Sequence, residues 1–255
     1  MATWGHGSRA GRYAEKRYRR GRRSWRRSTR RLLAVGCGPF IAAGLVVLVV
    51  DKHFLPWAGG VLFGAFIAIW IAIRDTPPRY VEKWQAGAEG ERKTARALRR
   101  LERTGWTVRH DVQRRYGNYD HIALGPSGVY LLETKKLEGV VEIRDGVPHL
   151  SRRHDPDASQ KFTRMRSTAL SAAAEIKRDI EHRCGECSWV QAVIVFWSEF
   201  PEQLTEYDHC AYIHGSRLRD WLRERPARLE PAQIARVAAA VDELAVQSAR
   251  DAEGR

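Results

Sequence analysis

Two uninterrupted apolar runs constrain this chain more than any other feature. Leu32 to Val50 (LLAVGCGPFIAAGLVVLVV) and Leu55 to Ile73 (LPWAGGVLFGAFIAIWIAI) each hold nineteen residues and no charge. At 1.5 Å per residue each reaches about 28 Å as a helix, close to the hydrocarbon thickness of a bilayer. A helix on a water-soluble core keeps a polar face, and neither run has one. Only Asp51-Lys52-His53-Phe54 separates them. The reading is a transmembrane helical hairpin over 32–73, with spans 32–50 and 55–73.

Charge orients the hairpin. Residues 1–31 carry twelve Lys/Arg against one acid, Glu15, and so supply +11 of the formal +14. Arg74, Arg79 and Lys83 follow the second span, and the connecting loop holds one lysine. The positive-inside rule then puts both termini in the cytoplasm of a two-pass cell-membrane protein. The basic tail, 1–31, suits anionic lipid head groups. Trp4, Tyr13, Tyr18 and Trp25, interleaved in it, also suit stacking on nucleic acid. A cleaved signal is disfavoured, because no A-x-A site follows the first run and a second span comes at once. From residue 74 onward 31 basic residues face 28 acidic ones. That balance excludes a protein that coats nucleic acid along its whole length.

After a linker at 74–84 the pattern is that of an α/β domain, a mixed sheet flanked by helices. A helix is expected over about Ala88–Arg103, with Ala88, Ala95, Leu98 and Leu101 on one face. Strands follow at Trp106–Gln113, Tyr119–Leu124, Val129–Lys136, Val140–Ile143 and Val147–Leu150. A long helix is expected over Ala158–His182, then strands at Trp189–Trp197 and Ala211–His214. Gly125-Pro126-Ser127-Gly128 is a turn. The domain covers 85–215, and helices at Ser216–Glu224 and Pro231–Ala249, within 216–255, pack on it.

Charged residues stand where such a core should be apolar. Glu133 and Lys135 lie two apart in one strand, so they share a face. The turn places Asp120, at the start of the preceding strand, across from that pair. Buried carboxylates and a lysine are costly unless they pair or bind metal. Glu91 falls inside the apolar stripe of its helix and should project toward the sheet. Asp120 and Glu133 would hold a hard divalent cation, Mg²⁺ or Mn²⁺. The cation would polarise a phosphoryl oxygen and acidify a bound water. Lys135 would orient that water and stabilise developing charge. This is phosphodiester hydrolysis, with DNA or RNA as the partner. A structural ion pair of Asp120 and Glu133 with Lys135 or Arg114 is the simpler alternative.

Gly87-Ala88-Glu89-Gly90-Glu91, Tyr119-Asp120-His121-Ile122 and Gly128-Val129-Tyr130-Leu131-Leu132-Glu133-Thr134-Lys135 together resemble the NERD (nuclease-related) domain, itself similar to PD-(D/E)XK nucleases. The resemblance, over roughly 85–200, implies a restriction-endonuclease-like fold. It implies Asp120 and Glu133 as metal ligands, Lys135 as catalytic lysine and Glu91 as the helix carboxylate. It also implies a glutamine near the start of the next long helix. Gln160 is the candidate, although it stands four residues after Pro156 rather than three. Gln160 with Asp157 would equally make a helix capping box.

Other features are secondary. Gly87 to Thr94 mimics a phosphate-binding loop but has Arg92 where a glycine is required before the lysine. Cys184-x-x-Cys187, with His182, His209, Cys210 and His214 downstream, offers a possible but less favoured Zn²⁺ site. Arg114, Arg115, Arg152 and Arg153 suit backbone phosphates. His121 and Lys136 are read as pointing away from the site. The reading is a membrane-anchored Mg²⁺-dependent nuclease. A catalytically silent nucleic-acid-binding or membrane scaffold module is the alternative.

Overall fold

The computed structural model describes residues 79–253 apart from 115–116, 153–154 and 186–188, together with residues 64 and 68 and most of 15–28. Both expected spans, save Gly64 and Ala68, lie outside the described residues. Among the described residues no helix is long and apolar enough to cross a membrane. The chain divides into two compact units, one made mainly of Ala86–Arg255 and the other of Glu15–Gln85. In the second unit the described part of the basic tail is helical. There Arg19 bonds Glu15 one turn back at 2.5 Å, and Arg22 lies over the Tyr18 ring.

The larger unit is a mixed sheet between helices. A helix, α1 (Arg79–Glu102), leads into β1 (Thr107–Gln113), β2 (Asn118–Gly125) and β3 (Gly128–Lys135). A meander follows, made of β4 (Val140–Arg144), β5 (Val147–Arg152) and β6 (Asp155–Lys161). Helix α2 (Met165–Cys184), β7 (Val190–Phe196), β8 (Leu204–Tyr207), β9 (Cys210–His214), α3 (Leu218–Glu224) and α4 (Pro231–Glu253) complete it. The main sheet has six strands in the order β1-β2-β3-β7-β9-β8, and β4-β5-β6 form a separate three-stranded sheet. β3–β7 and β7–β9 pair in parallel, and the remaining pairs are antiparallel. The crossover from β3 to β7 carries the meander and α2, as a parallel pair requires.

Alternation along the strands divides the core in two. Ile122, Leu124, Val129, Leu131 and Ile194 pack with Ala169 and Ile176 of α2 and Val237 and Val241 of α4. Ala123, Tyr130, Leu132, Val193 and Val195 face Leu98 and Leu101 of α1 and Leu218 and Trp221 of α3. Each buried Leu or Ile side chain favours this arrangement by about 1.5–3 kcal/mol before chain entropy is set against it.

Three elements differ from the sequence reading. Helix α1 begins at Arg79, inside the expected linker, so Gly87 and Gly90 lie within it rather than at its start. Gly90 is there because the helix presses on the sheet: a Cβ would meet Thr134 Cγ2 at 3.0 Å and Lys136 Cβ at 3.3 Å. Ala158–Lys161, expected to open the long helix, instead belong to strand β6, paired antiparallel with β5, and α2 starts only at Met165. Pro156 and the short polar residues around it disfavour helix, and a neighbouring strand offers hydrogen bonds. The edge strand β8 was missed because four residues between turns leave no periodicity to read.

Candidate active site

The β2–β3 hairpin places three charged side chains together. Gly125 pairs with Gly128 across a two-residue loop, and His121 pairs with Leu132. The next position along the ladder sets Asp120 level with Glu133. Lys135 Nζ donates to Glu133 Oε2 at 3.1 Å. The Thr134 backbone N–H donates to Asp120 Oδ2 at 2.8 Å. Asp120, Glu133 and Lys135 thus share the face of the sheet that packs on α2, as alternation predicts.

Their electrostatics are those of crowded carboxylates. Burial, then the Glu133 carboxylate, raise the Asp120 carboxyl well above its usual range, against the opposing pull of Lys135 and the Thr134 N–H. Burial alone would lower the Lys135 ammonium. The carboxylates of Glu133, Asp120 and Glu91 outweigh it, and Lys135 is raised and stays protonated.

Glu91 is 7% exposed, on the sheet side of α1 as expected. It acts on Lys135 through space. It does not complete a three-acid cluster: among the described residues no three His, Cys, Asp or Glu side chains are grouped to hold a metal ion. Asp120 and Glu133 alone fit a divalent cation with oxygen ligands, because their mutual repulsion is what a cation between them would relieve.

Gln160 does not take the role expected of it. It is exposed and paired with Leu150 in β6, and no helix start lies there for it or for a capping box. A cavity of about 400 Å³ opens beside Glu133 and Lys135, and Lys161, Phe162, Arg164, Met165 and Thr168 are among the residues that line its other side.

Sequence reasoning passed over Asp111. The β1–β2 ladder pairs His110 with His121 and Val112 with Tyr119, which brings Asp111 level with Asp120. Asp111 has φ 55° and accepts a 2.7 Å bond from Asn118 Nδ2. Its charge adds to the rise at Asp120. An Asp beside a His in an otherwise alternating strand was the available signal. His121 sits on the opposite face as expected, fully buried, with its Nδ1 2.7 Å from Nδ1 of His110. Burial and His110 hold it neutral, well below the usual imidazole range. Lys136 points away from Lys135 and pairs with Glu89.

The remaining candidates are engaged elsewhere or not described. Arg114 pairs with Glu175 at 3.0 Å and lies over the Tyr119 ring. Arg115, Arg153 and Cys187 lie outside the described residues. The Cys184 thiol donates to the Ile180 carbonyl at 3.3 Å. Burial pushes the Cys210 thiol up to about 12. His209 packs on Trp189, and His214 Nδ1 lies 2.7 Å from Ser216 Oγ. The described residues thus form no zinc site.

This geometry agrees with what the chain is similar to. Residues 86–197 match the family described as the nuclease-related domain, NERD. An uncharacterized protein of Bacillus anthracis is 35% identical over 78 residues, which are 29% of this chain and 36% of that relative. The chain therefore aligns with about a third of that relative's length. No solved structure matches the chain significantly. The fold is thus an α/β domain, and residues 86–197 of it are similar to the nuclease-related domain.

Proposed function

We propose that the domain is a metal-dependent nuclease that hydrolyses phosphodiester bonds of DNA or RNA. The observation that carries the reading is Asp120, Glu133 and Lys135 on one face beside an open cavity, with Lys135 bonded to Glu133. Asp120 and Glu133 would hold Mg²⁺ or Mn²⁺, which when bound supplies Lewis-acid polarisation and an acidified water. Lys135, kept charged by three carboxylates, stabilises the negative charge that develops on the phosphoryl oxygens. The Thr134 N–H holds Asp120 in place for this, and the Glu91 charge favours the protonated Lys135.

The proposed setting is a membrane. The hairpin of 32–50 and 55–73 would anchor the domain on the cytoplasmic side, with the basic tail against anionic lipid. Sedimentation of the full chain with membranes, and its release by detergent but not by salt, tests the anchor.

The catalytic test is cleavage of labelled single-stranded DNA, duplex DNA and RNA by the full-length chain with Mg²⁺ or Mn²⁺. Cleavage should vanish with EDTA, in Asp120→Asn and in Lys135→Ala. Cleavage that survives Lys135→Ala unchanged contradicts the assignment. The silent-module alternative has one observation in its favour, the two-acid rather than three-acid cluster among the described residues. Binding without cleavage of any substrate selects it.

A further inference from the structure

The cavity at Glu133 and Lys135 has two unlike walls. β3 supplies the carboxylate and the ammonium, and the segment leaving β6 supplies two more cations flanking an aromatic ring, Lys161, Phe162 and Arg164. Lys161 and Arg164 are exposed. Neither has an ion-pair partner among the described residues, whereas the nearby Lys135 and Arg166 bond Glu133 and Asp208. Phe162 and Met165 are only half-buried and line the same space. Cations without counter-charge next to an apolar patch call for an anion joined to a flat apolar body.

Size selects among such ligands. About 400 Å³ falls in the range of about 300–1,000 Å³ that small-molecule sites occupy. It can take one nucleotide, not a duplex. A duplex would present phosphates to Lys161 and Arg164 but keep its bases stacked, leaving Phe162 and Met165 unmatched unless a base were extruded at a cost. An unpaired nucleotide meets the two cations and the apolar patch between them at once.

We infer that this cavity holds one unpaired nucleotide of the substrate strand, its phosphate on Lys161 and Arg164 and its base against Phe162 and Met165. The preferred substrate is therefore single-stranded nucleic acid. The inference rests on the nucleic-acid part of the function proposed above.

The test is binding of a fluorescent oligonucleotide of about twelve nucleotides, a length that spans such a site, to the full-length chain in detergent with EDTA. It is measured by anisotropy over a salt series, single strand against the same sequence as duplex. The single strand should bind about tenfold tighter or more, because one stacked base is worth that much. Changing both Lys161 and Arg164 to Gln should lower the log–log salt slope by about 0.7, the value for one phosphate no longer neutralised. Phe162→Leu keeps an apolar side chain and should weaken single-strand binding several-fold without altering the slope.

Equal affinity for the duplex, or an unchanged slope in the double variant, overturns the inference. Parallel Mg²⁺ cleavage by the unaltered chain separates the two readings. Cleavage with either of those binding results leaves a nuclease without this nucleotide seat. Absence of cleavage with the expected binding pattern supports the seat and removes the catalysis.

Discussion

Thr134 links the two faces of the sheet. Its backbone N–H holds Asp120 Oδ2 at 2.8 Å on one face, while its side-chain oxygen lies 3.0 Å from Thr94 Oγ1 on the other. Thr94 in turn accepts a 2.8 Å bond from Trp197 Nε1. A metal-ligand candidate is thus tied, through one residue, to α1 and to the residue that follows β7.

Thr94→Val keeps the volume at this junction but leaves the Trp197 N–H without its acceptor. The loss of a part-buried hydrogen bond costs about 1–3 kcal/mol. The midpoint of urea unfolding should fall accordingly. An unshifted midpoint would show that water replaces Thr94.

Asp120→Asn should stabilise the metal-free protein at pH 8. The Asp120 carboxyl is raised from its ordinary value of 3.8 in the fold. The folded state therefore holds this proton more tightly than the unfolded one. Its stabilising effect is complete below pH 3.8 and is lost as pH climbs to the raised folded value. The amide has no charge to repel Glu133 and can still accept from Thr134. A gain of about 1 kcal/mol, or about 2–4 °C in melting temperature, is expected. Saturating Mg²⁺ should abolish the advantage by stabilising the unaltered chain alone. A lower melting temperature for Asp120→Asn without metal contradicts the repulsion.

His121 works in the opposite direction. It is held below its ordinary value of 6.5, so the unfolded chain takes up the proton first. Its contribution is complete above about pH 6.5 and declines as pH falls toward the folded value. Between 3.8 and 6.5 the slopes from Asp120 and His121 oppose each other. His121→Gln should unmask a stability that falls with rising pH, and Asp120→Asn one that rises. Parallel pH profiles in both variants would show that neither group titrates as argued.

Gly90 and Gly87 form a matched pair on α1. A Cβ at Gly87 meets nothing within 4 Å, whereas one at Gly90 meets Thr134 and Lys136. Gly87→Ala should therefore stabilise by about 0.5–1 kcal/mol through helix propensity. Gly90→Ala has the same propensity gain but must push the helix from β3, and overpacking costs about 1–3 kcal/mol. It should be destabilising on balance and should also slow any cleavage. Equal effects of the two substitutions in thermal unfolding would refute the close approach.

Much of this arrangement was legible in the sequence. Strict alternation after an obvious turn placed Asp120, Glu133 and Lys135 on one face, and the apolar stripe of α1 aimed Glu91 inward. Both arguments use only local geometry. Gln160 went astray because Asp155–Lys161 becomes a strand only by pairing with β5, a contact that no local pattern announces. Asp111 was missed because its relation to Asp120 depends on the β1–β2 register. Gly87 and Gly90 were read as a helix start because composition does not reveal that β3 lies against Gly90.

The meander β4–β5–β6 enters the chain between the strand that carries Glu133 and the helix that faces it, and it ends at Lys161. The wall that would choose the substrate is therefore encoded apart from the residues that would cut it. Insertions or deletions in its hairpins can redraw that wall while the β2–β3 ladder is inherited unchanged. Descendants of one such gene could diverge in what they recognise long before they lose the capacity to act on it.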